Sequence, residues 1–175
     1  MKDKSNHMSI VESFHLMPAA DLPGLLESAA APPIIVKKGF FKRKQIIYPY
    51  NDYLVERTRK LKGLVRYSAS LFLDLMYYLA GEHQFDLDAI GREPLSKELS
   101  DLTGLSEIIL TYAHRLQFDN LPDPETIPLQ ELKPYQETYP QDEDCARGII
   151  EAWKVLRDNI REITDDSRVV LFYVG

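Results

Sequence analysis

Apolar positions recur at two periods along this chain, and they divide it into helices and strands before any other property is considered. Leu61, Leu64, Ser68, Leu71, Leu75 and Leu79 follow steps of three and four, with Val65, Phe72 and Met76 widening the same face, so residues 51–80 read as helical. Asn51 or Asp52 can cap that start, Gly63 weakens the middle enough to divide it in two, and Gly81 fits the stop. Ala146, Ile149, Trp153, Leu156, Ile160 and Ile163 form a second stripe and predict a helix over 143–163. That stripe serves the core or, as the alternative, a homodimer seam. A shorter helix is expected over 20–30 around Leu22, Leu25 and Leu26, ended by Pro32 and Pro33. Strands follow the other period. Ile34, Ile35, Val36 and Ile46, Ile47, Tyr48 are two β-rich runs around Gly39, which predicts a hairpin over 34–50. Phe85, Leu87 and Ile90 anchor a short strand over 84–90, and the apolar run 169–174 reads as a pairing strand. Five prolines between 118 and 142 exclude a long helix and predict a stiff, wrapping connection. Residues 1–19 are expected to be a loose arm ahead of one globular domain over 20–175.

The stretch from Pro94 to Leu116 carries a more specific pattern. Gly104 supplies a residue that tolerates a left-handed backbone, Ser100 is small, Leu99, Leu105, Leu110 and Ala113 are apolar, and Ser106 is placed to cap a second helix. This pattern resembles the helix-turn-helix of bacterial regulators and replication proteins. With the helix ending at Leu79–Gly81 and a short strand near Phe85, the resemblance extends to a winged version over 62–117. It implies a winged-helix-like centre, which with the elements read above gives an α+β, helix-rich single domain with an N-terminal β-hairpin and a C-terminal helix and strand. It also implies that the second helix turns Glu107, Ile108, Thr111, Tyr112 and Arg115 outward, where the family reads base edges. Only Arg115 among them is basic, so Glu107, Ile108, Thr111 and Tyr112 suit a protein partner better than phosphate.

Charge changes the picture elsewhere. The formal net charge is −6, but residues 1–66 hold 12 Lys+Arg against 6 Asp+Glu, while residues 67–175 hold 9 against 21. The hairpin tip gathers Lys37, Lys38, Lys42, Arg43 and Lys44 around Phe40 and Phe41, a combination that can neutralise phosphate and stack on unpaired bases. Arg59, Lys62 and Arg66, spaced by three and four, would extend that patch along one side of the long helix, with Arg115 near the backbone of a bound DNA.

Other chemistry is thin. No apolar run approaches the ~18 residues of a membrane helix, and the first residues lack the apolar centre of a secretory leader. The lone Cys145 can form neither an internal disulfide nor a cysteine-based metal site, which fits a reducing, cytoplasmic setting. The four histidines have no metal-ligand spacing; Glu82, His83, Asp86 and Asp88 are the one cluster that would hold a cation, and a strand edge explains them as well. No catalytic signature or cofactor motif is present. The first functional expectation is therefore a non-catalytic, DNA-associated regulatory or replication accessory protein. The second is a protein-binding adaptor or inhibitor, of the kind a mobile element encodes, using the Ile108/Tyr112 face or the acidic C-terminal half. The third is an enzyme of unknown class, whose groups would assemble only in the fold.

Overall fold

The computed structural model describes residues 14–38, 43–63, 69–136 and 143–174. In chain order these residues form β1 (His15–Pro18), α1 (Leu22–Ala30), β2 (Ile34–Lys38), β3 (Arg43–Ile47), α2 (Pro49–Arg57), β4 (Arg59–Lys60), α3 (Ala69–His83), α4 (Leu87–Gly91), α5 (Pro94–Thr103), β5 (Ser106–Leu110), α6 (Tyr112–Phe118), α7 (Leu129–Leu132), α8 (Glu143–Ile160) and β6 (Arg168–Val174). Short 3-10 turns stand at Ala19–Asp21, Pro124–Thr126 and Lys133–Tyr135. The class is α+β and the domain is single.

A four-stranded antiparallel sheet in the order β4-β1-β6-β5 divides the interior into two cores. Strand alternation does the sorting. Phe14, Leu16, Ile108, Leu110, Val170 and Phe172 point to one face, against α3 and α8. Met17, Ile109, Val169 and Leu171 point to the other, against α1 and α5. The larger core contains a trio of rings, Phe14, Phe72 and Phe172, with centroids 4.6 to 6.4 Å apart. The α8 stripe is wholly enclosed there: Ala146, Ile149, Trp153, Leu156, Ile160 and Ile163 are all at zero exposure, so the stripe serves the core and is not itself a dimer seam.

Several expectations are corrected. Residues 14–18 are not a loose arm: Phe14 is buried, and β1 lies between β4 and β6 in the middle of the sheet. The run 51–80 is not one helix but two, as the weak point at Gly63 allows: α2 ends at Arg57, the short strand β4 intervenes, and α3 is described from Ala69. Its start is set by Pro49 rather than by Asn51 or Asp52, since proline's fixed φ suits the first helical position and Tyr48 provides the extended residue before it. The expected strand over 84–90 is the short helix α4, nucleated by the Asp86 side chain accepting from the Ala89 amide at 2.9 Å. Helix α3 runs past Gly81 to His83 and is followed by Gln84 at φ 57.

The largest correction falls on the helix-turn-helix pattern. Gly104 does end α5 in the left-handed region, φ 73, with its amide bonded to the Ser100 carbonyl at 2.9 Å. The next element is a strand, β5, and helix resumes only at Tyr112. Ser-Glu-Ile-Ile-Leu pairs with β6 from Ser106↔Val174 to Leu110↔Val170. The outer edge of β5 would leave amides bare, and α5 covers them. Ser96 Oγ accepts from the Ile109 amide at 3.0 Å, and Ser100 Oγ accepts from the Glu107 amide at 2.9 Å. Two serines one helical turn apart thus close a sheet edge that would otherwise invite pairing. The small residue at position 100 serves helix–strand approach, not helix–helix approach.

Candidate nucleic-acid interface

The hairpin forms, and it belongs to neither core. Strands β2 and β3 pair in register from Ile34↔Ile47 to Lys38↔Arg43, with Lys37 opposite Lys44. Ile34, Ile35 and Ile46 are each more than half exposed. The root of the ribbon is therefore open to solvent, and its basic register pairs lie at the end away from that root. From Ser28 to Asn51 the chain holds five basic residues and no acidic one. Phe40, Phe41 and Lys42 lie outside the described residues, as does Arg66.

On the body, cations are neutralised instead. Lys97 meets Asp101 at 2.6 Å, Lys154 meets Glu125 at 3.0 Å, Arg157 meets Asp123 at 2.9 Å, and Arg92 meets Asp88. Arg59, expected on a helix row, sits in β4 and pairs with Glu162 at 2.5 Å. Lys62 is exposed in the loop after β4, where its carbonyl accepts from Asn159 at 2.7 Å. The basic row thus does not exist as a helix face. A different group takes its place at the end of α2: Arg57, Lys60 and Lys62 are exposed and have no ion-pair partner among the described residues.

Arg115 is likewise not available to DNA. Its guanidinium donates to the Ile163 carbonyl at 2.7 Å and to Asp119 at 3.2 Å, and it lies over the Tyr112 ring at 5.9 Å. It ties α6 to the end of α8. The expected outward partner face is also overturned. Glu107 and Ile108 are buried on opposite sides of β5, Tyr112 packs against the larger core, and Thr111 caps α6. In that cap the Thr111 amide donates to His114 Nδ1 at 3.1 Å, so the ring carries its proton on Nε2 and donates it to Glu93 at 3.0 Å. These residues hold the fold together. The acidic cluster is similarly occupied: Glu82 accepts from Tyr135, Asp86 caps α4, and among the described residues no three potential ligands converge on a metal site.

The root of the ribbon leads into a polar site that the sequence did not disclose. Strand β3 passes through Tyr48 and Pro49 directly into α2. Tyr48 is half exposed. The next aromatic, Tyr50, donates its hydroxyl to Glu107 Oε1 at 2.7 Å, across 57 residues of sequence. Glu107 is 1% exposed, and burial pushes its carboxyl up to about 6, against the pull of the Tyr50 hydrogen bond. Burial, then the adjacent carboxylate, raises the Tyr50 phenol as well. Tyr173, opposite Glu107 in register, faces the same side of the sheet.

His15 joins this side from β1. The Thr58 hydroxyl donates to the Leu54 carbonyl at 2.5 Å, so it receives the His15 Nδ1 proton at 2.7 Å, which fixes the tautomer. Burial, and secondarily Lys60, lowers the His15 pKa and keeps the ring neutral. Two cavities flank Tyr50. One of about 420 Å³ lies at the ribbon root, between Pro33, Tyr48 and Leu102. The other, of about 380 Å³, lies over Glu107 and reaches His15 and Lys60. Tyr50, Asn51 and Leu105 line both.

No family model, curated protein or solved structure matches this chain. Among the described residues no helix is long and apolar enough to cross a membrane.

Proposed function

We propose that this protein is a non-catalytic, DNA-associated accessory protein that grips the phosphate backbone with its β2–β3 ribbon and prefers unpaired strands. The observation that carries this reading is the contrast in charge: the ribbon's stretch of chain is basic and acid-free and its root is solvent-exposed, whereas the described arginines and lysines of the body are largely paired with carboxylates. A two-stranded ribbon is a known shape for groove or backbone contact. The preference for single strands rests on the exposed Tyr48 at its root and on Tyr50, which lines one cavity with the cation Lys60, since aromatic faces and cations together hold unpaired bases. The reduced Cys145 is in keeping with a cytoplasmic setting.

Fluorescence anisotropy with a labelled single strand in a salt series tests the proposal. Four phosphate contacts from Lys37, Lys38, Arg43 and Lys44 give a slope of log K against log salt of about −3. Reversing those four charges should remove most of the slope. Absence of binding at low salt contradicts the reading.

The exposed Ile34, Ile35 and Ile46 favour a second reading, a protein partner seated on the root of the ribbon. In that case Ile35→Asp abolishes partner binding and the charge reversals do not.

A further inference from the structure

Helix α2 is lightly anchored. None of its residues is fully buried, although Tyr50, Tyr53 and Leu54 pack partly against the smaller core. On the α1 side the fit is close: the Tyr53 ring lies over Gly24, where a Cβ would come within 2.5 Å of the phenol oxygen, and its hydroxyl donates to the Asp21 carbonyl at 2.9 Å. On the sheet side the packing is incomplete. The cavity of about 380 Å³ lies between Tyr50, Leu54 and Val55 of α2 and His15, Lys60 and Glu107 of the sheet. Side-chain hydrogen bonds pin the helix across this gap at its two ends, Tyr50 to Glu107 at the start and His15 to Thr58 just past the finish. Glu107 is 1% exposed beneath the first pin, so lifting α2 returns its carboxyl to water. Burial penalises only the ionised form of such a group.

We propose that the Tyr50–Glu107 contact is a pH-sensitive latch: α2 lies closed on the sheet while the Glu107 carboxyl is protonated, and it lifts about its α1 contact once that carboxyl ionises. The latch acts whatever the ribbon binds. Tyr48 alone separates β3 from α2, so a movement at the start of α2 is passed to the root of the ribbon. With α2 closed, burial holds the Glu107 carboxyl up at about 6, against the pull of Tyr50; with α2 lifted, the carboxyl returns towards its ordinary 4.5. Closure is therefore at full strength below about 4.5 and is lost as pH rises through about 6, and that interval sets the opening equilibrium about thirtyfold higher above neutrality than in acid. Other groups face Glu107 on both sides. Tyr173, His15 and Lys60 line the same cavity, and Asp88 and Arg92 of α4, which pair with each other, line a second one with it. The Tyr50 phenol, raised by burial and then by Glu107, keeps its proton throughout. His15, lowered by burial and then by Lys60, acts in the opposite sense, its contribution complete above 6.5 and lost as pH falls.

Amide hydrogen exchange of the whole chain from pH 4 to 8, with each rate divided by that amide's intrinsic rate, tests the latch. A nine-residue helix is marginal in water by itself, so the α2 amides exchange once it leaves the sheet. They should exchange faster than those of α8 at every pH, which marks an opening smaller than global unfolding. Relative to Glu107→Gln, which keeps the His15 contribution and lacks the carboxyl, that opening should rise about thirtyfold across the series and level off above about 6. Tyr50→Phe should move the levelling-off to higher pH, because it removes the bond that favours the ionised carboxyl and leaves the carboxyl buried. A merely structural contact would lower α2 protection in Tyr50→Phe by one factor at all pH values. An α2 opening in the native chain that does not rise between pH 5 and 8 overturns the latch, as does α2 protection equal to that of α8 throughout. An unmoved levelling-off in Tyr50→Phe overturns it too, so the test stays decisive even if Glu107→Gln fails to fold.

Discussion

The two faces of the central sheet are built from the same strands and do different work. On the α3–α8 side, alternate residues of β5 and β6 are Ile108, Leu110, Val170 and Phe172, all buried in a dry, ring-filled core. One residue over, on the α1–α2 side, the same strands present Glu107 and Tyr173 beside a cavity, and only their inner halves, Ile109, Val169 and Leu171, are core. A period of two lets five residues of β5 serve both purposes, since each step along the strand changes the face. The comparison teaches that stability and chemistry are separated by face rather than by sequence distance.

That separation can be broken in order of expected effect. Trp153→Ala on the dry side empties the centre of the larger core and should cost about 3–5 kcal/mol in denaturant unfolding, with wholesale loss of the transition if the domain is only marginally stable. Glu107→Gln on the wet side should do the opposite at high pH. The carboxyl's folded pKa, about 6, lies above its ordinary value of 4.5, so its contribution is full below about 4.5 and is lost as pH rises through about 6. The variant should therefore match the native chain in acid and exceed it by about 2 kcal/mol above neutrality in pH-resolved melts. A native chain no less stable at pH 8 than at pH 5 would count against this, once His15 is allowed for. Its depressed pKa acts with the opposite sign, complete above its ordinary 6.5 and lost as pH falls.

Next comes the seam between the faces. Ser96→Ala leaves the buried Ile109 amide without an acceptor and should cost about 1–2 kcal/mol, where Ser96→Thr costs less if its hydroxyl keeps the bond. Smallest in stability is the ribbon itself. Lys37→Glu with Lys44→Glu touches neither core and should move the unfolding free energy by no more than ~0.5 kcal/mol while reducing nucleic-acid affinity severalfold. A large stability change there would show that the ribbon is part of the body.

How much of the fold was legible depends on the physics of each signal. The α8 stripe, the ribbon and β6 could be read because long periodic or β-branched runs have one good interpretation. The segment after Gly104 could not. A glycine helix end, a small serine on the helix and a short apolar run fit a second helix as well as a strand, and only the pairing with β6, 60 to 68 residues away in the chain, decides. Strand β1 escaped because four residues ending in Pro18 carry too little pattern. The basic ribbon was visible as composition, but its isolation from the acidic body was not, because ion pairs such as Arg59–Glu162 join distant positions. The Glu107 site was hidden for the same reason: its hydrogen-bond donor comes from α2 and its wall from β6. The one local hint was an acid interrupting an apolar strand.

Amide hydrogen exchange with and without a bound single strand tests the central claim most directly, because it shows where the strand lies. The account predicts slowed exchange in β2, β3 and the first turns of α2, with α3, α6 and α8 unchanged. Protection on α6, or a bound strand that leaves the ribbon's exchange untouched, would contradict it.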